Sequence, residues 1–270
     1  MLTTMRRWSS NSVDRDKSLR ASFLLLIALV GALCLYAAES IAQTPADSEF
    51  TQLLSRLQSS NEEDRYDAAV KLGSWRSPQT TAALQSALTD SSEKVRAAAI
   101  MVLSQAADAR LVSLFAEAFA RDKSLFVKKA AVYALGESGS AAATPILLTA
   151  LKDKQVEVRG AAAVALGRYT DTAAIEGLQQ ALFDKSDFVR AQAAYALGLR
   201  ASRAANAVAT LIRLLERDRA HTVRQEVATA LGRIGDRAAL SALEKAERNP
   251  DPYLSLAARE AIRLIATPNP

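Results

Sequence analysis

Apolar positions recur along this chain at two interleaved periods, a helical one of three to four residues and a longer one of about thirty-one. The blocks VRAAAIMVLS, VKKAAVYALG, VRGAAAVALG, VRAQAAYALG and VRQEVATALG begin at Val95, Val127, Val158, Val189 and Val223, and positions 1, 5, 8 and 9 of each are apolar, as at Val158, Ala162, Ala165 and Leu166. At about 100° per residue these positions share one face, so each block predicts an amphipathic helix with a seam of small residues. A second helical pattern precedes each block, in LQSALTD from Leu84, LLTALKD from Leu147 and LQQALFD from Leu178. In the first copy, Phe50, Leu53, Leu54 and Leu57 stand at i, i+3, i+4 and i+7, one apolar stripe. Each unit therefore reads helix, short turn, helix. Pro145 suits the first turn of the fourth unit's first helix, where its missing N–H costs nothing. Gly73, Gly136, Gly167, Gly198 and Gly232 close most blocks and are expected to end the helix in a left-handed residue.

Aligned on the Val position, seven copies step through Asp64, Val95, Val127, Val158, Val189, Val223 and Leu254 at intervals of 31, 32, 31, 31, 34 and 31. Self-similarity at such a period marks a stacked array. One unit buries too little apolar surface to offset the backbone entropy of some thirty residues, at about 1 to 2 kcal/mol each, so neighbouring units must stabilise one another. Asp64-Arg65 in the first copy and Leu254-Ser255, with no closing glycine, in the last depart from the pattern as end caps do. Composition agrees with helices throughout: half the residues are apolar, only 6% are aromatic, and alanine and leucine dominate.

The run ALGRIGDRAALSALEKA from Ala230 to Ala246, with the recurrent Asp, Val-Arg and Ala-Leu-Gly, resembles the short HEAT-like repeats named for phycobilisome lyases. The resemblance spans about residues 46 to 266. It implies an all-α fold, a right-handed α-solenoid (α-α superhelix) of about seven helical-hairpin repeats, with the second helices on the concave side.

The N-terminus stands apart. Arg6, Arg7, Arg15, Lys17 and Arg20 precede an uncharged run, Ser22 to Ala38, which small residues Ser40 and Ala42 follow. Basic, apolar and small segments in that order read as a secretory signal over residues 1–42, cleaved after Ala42; an uncleaved membrane anchor is the other reading. Both place residues 43–270 outside the cytoplasm, periplasmic or secreted in the first case and anchored to the inner membrane in the second. Cys34, the single cysteine, lies in the apolar run behind Leu33, which is not the small residue a lipidation signal wants. Cleavage would leave a chain with no cysteine, and so no disulfide or thiolate site. It would also leave 29 basic residues against 26 acidic ones, a mild excess.

An acid and a base six places on recur as Asp90 and Arg96, Asp122 and Lys128, Asp153 and Arg159, Asp184 and Arg190, Asp218 and Arg224. A basic column of this kind suits nucleic acid, yet each base travels with an acid. The resemblance implies that these side chains form ladders between adjacent repeats, so no nucleic-acid partner is expected. Some HEAT-like relatives are metal-dependent hydroxylases that use His-Glu pairs, and others attach bilins. Here the lone histidine, His221, is followed by Thr222, and no lyase motif maps onto the chain. Neither a cofactor nor a metal is expected, and the membrane is touched only through the N-terminal segment. From Arg200 to Arg237 eight arginines face four acids, a locally basic stretch that reads as a solvated surface or as contact with an acidic partner.

The seventh position of each second helix points away from the seam and holds Val70, Met101, Tyr133, Val164, Tyr195, Thr229 and Glu260. Apolar residues fill the first five. Tyr66, Met101, Tyr133, Val164 and Tyr195 are therefore candidate partner-binding residues on the concave face, tyrosine being favoured in interface hot spots; filling space between neighbouring helices is the competing role. The expected function is that of a non-catalytic scaffold or adaptor of the cell envelope that binds a protein or peptide, with an enzyme or enzyme subunit akin to bilin lyases or HEAT-repeat hydroxylases as the alternative.

Overall fold

A computed structural model describes residues 45–106, 108–200 and 204–267. The segment expected to be a signal or an anchor, Cys34 included, lies outside the described residues. Among those described are fourteen α-helices that pair into seven hairpins: α1 (Pro45–Arg56) with α2 (Glu62–Lys71), α3 (Pro78–Ala87) with α4 (Glu93–Ser104), α5 (Val112–Arg121) with α6 (Leu125–Glu137), α7 (Thr144–Ala150) with α8 (Val156–Leu166), α9 (Thr172–Ala181) with α10 (Asp187–Leu199), α11 (Val208–Arg217) with α12 (His221–Ile234), and α13 (Leu240–Glu247) with α14 (Pro252–Ala266). The compact unit Leu53–Pro270 holds the end of α1 and the helices α2 to α14. The all-α solenoid expected from the periodicity is the fold.

Each second helix packs closely on the second helix of the next hairpin, whereas first helices meet their successors far more loosely. The array is thus held tighter on its second-helix side. The core lies between the two layers. Val95, Val127, Val158, Val189 and Val223 at the first position, with Leu103, Leu135, Leu166, Leu197 and Leu231 at the ninth, are buried against Leu84, Phe115, Leu147, Leu178 and Leu211 of the first helices.

Helix starts follow from local side-chain chemistry. The Ser92 and Ser124 hydroxyls accept from the first-turn amides of α4 and α6, and Ser77, Asp171 and Asp251 do the same for α3, α9 and α14. Pro145 sits in the first turn of α7, as anticipated.

The closing glycines behave otherwise than expected. Gly136, Gly198 and Gly232 lie inside α6, α10 and α12, and Gly167 is right-handed, with φ −59°. Left-handed backbone occurs instead at Gly139 and Gly235. What the closing position needs is the absence of a side chain. A Cβ on Gly136 or Gly167 would stand 2.9 Å from the Cβ of Ala165 or Ala196, one on Gly198 would stand 2.9 Å from Ala230 Cα, and one on Gly232 would stand 2.6 Å from Ala261 Cα. Position 10 of one repeat is thus the seat for position 8 of the next. This contact between successive repeats lets the second helices approach so closely.

Candidate functional site

Two sets of side chains run from repeat to repeat, one structural and one exposed. The structural set is the charge ladder. Arg65 Nε donates to Asp90 Oδ2 at 2.7 Å, Arg96 Nε to Asp122 at 2.7 Å, Lys128 Nζ to Asp153 at 2.6 Å, Arg159 Nε to Asp184 at 2.8 Å and Arg190 Nε to Asp218 at 2.7 Å. Every rung joins a base to the acid of the following repeat, as the resemblance implied. The spacing of six within a repeat has a separate cause. Arg96, Arg159, Arg190 and Arg224 each donate through Nη1 to the backbone carbonyl of their own repeat's aspartate, at 2.7 to 3.0 Å.

Each aspartate also accepts the amide two residues on, as Asp184 Oδ1 does from Ser186 at 2.8 Å, which shapes the turn into the second helix. The side chains of Asp90 and Arg65 carry each other's charge, and the Asp90 carboxyl is held below its usual range, first by the hydrogen bond from Arg65. For Asp122, Asp153, Asp184 and Asp218, burial pushes the carboxyl up, but the hydrogen bond from the preceding base and the turn amide outweigh it and leave each below the ordinary value.

The ladder changes at its last step. His221, the first residue of α12, is exposed, and its Nδ1 lies 3.0 Å from Asp251 Oδ2, while Arg224 Nη2 turns to the same imidazole nitrogen at 3.1 Å. Asp251 meanwhile caps α14. The histidine thus bridges two repeats at the point where the arginine fork has no direct carboxylate.

The exposed set lies on the second helices. Tyr66, Val70, Met101, Tyr133 and Val164 are 37% to 46% exposed, a high value for apolar side chains on four closely packed helices. Tyr195 is half-buried, with the Arg233 guanidinium 5.4 Å from its ring centroid. Within the row Tyr133 lies beside Glu137 of its own helix, and Tyr195 makes an inter-helix contact.

Three large residues missing from the anticipated set join this face. Phe126, Phe188 and Tyr253 immediately precede the Val position in α6, α10 and α14, and each is at least 46% exposed. At 100° per residue, positions 0, 4, 7 and 11 fall within about 60° of one another. Phe188, Gln192, Tyr195 and Leu199 thus form one stripe along α10, and Phe126, Ala130, Tyr133 and Glu137 its counterpart on α6. The signal was available as an aromatic before Val or Leu in every second repeat, in FVKK, FVRA and YLSL. It is easily passed over because the strong repeat signature begins one residue later.

Charge on this face is sparse and mostly paired. Arg168 Nη2 lies 2.5 Å from Glu137 Oε1, a buried oxygen that this ion pair serves without a well-aligned hydrogen bond. The Tyr133 phenol is raised above its ordinary pKa, first by its hydrogen bond to Glu137, then by burial and by the negative charge itself. Lys94 reaches Glu62 and Glu63 of the preceding repeat at 3.3 and 3.4 Å. Among the described residues no group of three His, Cys, Asp or Glu is placed to hold a metal ion, and no helix is long and apolar enough to cross a membrane.

A model of HEAT repeats matches residues 50–136, 112–198 and 175–263. A comparison with curated protein sequences returns no match. Among solved structures, the chain is similar to E. coli YibA, with 24% identity, a TM-score of 0.60, and coverage of 80% of this chain and 81% of that one. The complex of CpcE and CpcF of phycocyanin lyase from Nostoc is similar at 22% identity and a TM-score of 0.50, over 80% and 92% of the two chains. An engineered protein matches at 20% identity and a TM-score of 0.51, over 81% and 68%. At these identities the likeness is one of fold.

Proposed function

This chain belongs to the HEAT-repeat family, and from that we propose that it is a non-catalytic scaffold whose concave face binds a protein or an extended peptide. The observation that carries the reading is the exposed apolar row Tyr66, Val70, Met101, Tyr133 and Val164, continued at the rim by Phe126, Phe188 and Tyr253. Solvent alone would favour polar side chains there, and burying such a row against a partner is a main source of association energy. The repeat spacing suits an extended segment, because each hairpin presents the same positions again. Against a nucleic-acid partner stands the ladder, in which Arg65, Arg96, Lys128, Arg159 and Arg190 are already matched by carboxylates. The proposal includes export: the basic, apolar and small segments of residues 1–42 support work in the cell envelope, and a native N-terminus at Gln43 would establish cleavage.

The face is tested by photocrosslinking in the native host, with the reactive residue placed at Met101, at Tyr133, or at exposed Ser113 on the outer layer. The first two positions should give the same discrete adduct and Ser113 none, and Tyr133→Ala should weaken the adduct at Met101. Equal labelling from Ser113 would sink the assignment.

A further inference from the structure

Two junctions on the second-helix face are built alike, and one of them lacks a group. Between repeats three and four, Tyr133 at position 7, Glu137 at position 11 and Arg168 at position 11 of the next repeat come together: the carboxylate meets the guanidinium at 2.5 Å and stands close enough to the phenol to raise its pKa. Two repeats on, the same positions hold Tyr195, Leu199 and Arg233. The tyrosine and the arginine are kept, and the acid is a leucine that is 46% exposed.

Arg233 is exposed and forms no ion pair among the described residues. Its own helix offers Glu226 two turns back, about 10 Å along the axis, and Glu260 on α14 is already held by Arg263 at 2.9 Å. Instead the guanidinium lies over the Tyr195 ring. With its Cζ 5.4 Å from the ring centroid, the guanidinium makes no side-chain hydrogen bond among the described residues, and its N–H groups remain able to donate in the fork that fits a carboxylate. Leu199, one helical turn after Tyr195 on α10 and 46% exposed, adds apolar surface to the same stripe, which strengthens any charge-assisted bond formed there.

We propose that the Tyr195–Arg233 junction is a subsite for the side-chain carboxylate of a glutamate or aspartate in the bound segment, which completes the cluster that Glu137 closes internally two repeats earlier. This rests on the reading of the concave face as a peptide-binding surface, and it adds the partner's chemistry: an extended segment with apolar residues for the Met101 to Val164 row and an acid for Arg233.

The test uses the full-length protein in mild detergent and twelve-residue peptides of alanine, leucine and tyrosine that carry a single Glu, Gln or Lys, each with a free or an amidated C-terminus. The Glu peptides should bind about tenfold more tightly than their Gln counterparts, the equivalent of about 1.4 kcal/mol, whatever the terminus. Arg233→Gln and Leu199→Glu should each abolish that ratio, whereas Tyr133→Ala should weaken Glu and Gln peptides alike. Without any peptide, Leu199→Glu should raise the thermal midpoint, and the gain should vanish in the double variant with Arg233→Gln. Equal binding of Glu and Gln peptides, a preference that survives Arg233→Gln, a preference that follows only the free C-terminus, or an Arg233-independent effect of Leu199→Glu would overturn the subsite. Tyr133-dependent binding with no Glu preference removes the subsite and spares the binding face; failure of every peptide to bind removes both.

Discussion

Arg159 donates to both carboxylate oxygens of Asp184, at 2.8 and 2.9 Å, across the junction between repeats four and five, and only 6% of the Arg159 side chain reaches solvent. Removing one partner of such a pair leaves a buried charge with nothing to meet it. Asp184→Ala is expected to destabilise the protein by about 3 to 5 kcal/mol, more than an exposed ion pair would contribute. Thermal unfolding should show a midpoint lower by several degrees, and Asp108→Ala, whose partner Arg110 is largely exposed, should show almost none of this shift.

Gly198 and Gly232 distinguish helix propensity from packing. Inside an isolated helix, Gly→Ala stabilises by about 1 kcal/mol. Here the new Cβ would meet backbone, Ala230 Cα at 2.9 Å and Ala261 Cα at 2.6 Å, which cannot swing aside. Both substitutions should therefore destabilise, by about 1 to 3 kcal/mol, with Gly232→Ala the worse. Gly73→Ala meets only a Val102 methyl at 3.2 Å and should be the mildest of the three. Urea unfolding of the three variants checks the order.

The ladder predicts sensitivity to acid. The carboxyls of Asp90, Asp122, Asp153, Asp184 and Asp218 are held below the ordinary aspartate value in the folded protein. The unfolded chain thus takes up protons first as pH falls. The stability these groups contribute is fully present above about pH 4, the unfolded value, and is lost as pH drops through their folded values. Urea midpoints measured from pH 7 down to pH 3 should fall most steeply below pH 4, and Asp184→Asn should make that fall shallower.

The two faces of the hairpins are separable by a pair of phenylalanines. Phe115 on α5 is 2% exposed, and Phe115→Ala should cost about 3 to 5 kcal/mol. Phe126 at the start of α6 stands in solvent, so Phe126→Ala should change stability by no more than about 0.5 kcal/mol. A large loss at Phe126 would mean that the rim aromatics are packing residues and not a surface held open for a partner.

Much of this was readable from the chain. The intervals between Asp64 and Leu254, the apolar positions 1, 5, 8 and 9 and the recurring Asp and Arg settle an array of helical hairpins, because the 100° turn of a helix assigns every residue a face without reference to its neighbours. The exposure of Tyr66, Met101, Tyr133 and Val164 follows from the same geometry.

What local pattern does not contain is the partner across a junction. Arg190 stands six residues from Asp184 and binds its carbonyl, but its fork goes to Asp218, 28 residues away, because stacking brings the next turn to it. Gly167 looks like a helix stop, and only the approach of Ala196 reveals it as a seat for the neighbouring helix. Tyr133 and Tyr195 occupy the same position of the repeat, yet the first shares a carboxylate with Arg168 and the second lies under an arginine without one. Sequence alone determined the repeat, its helices and their faces, since those depend on bonds within a few residues; the tertiary structure decided the rungs, the glycine contacts and the unfilled charge at Arg233, since those depend on how one hairpin is seated on the next.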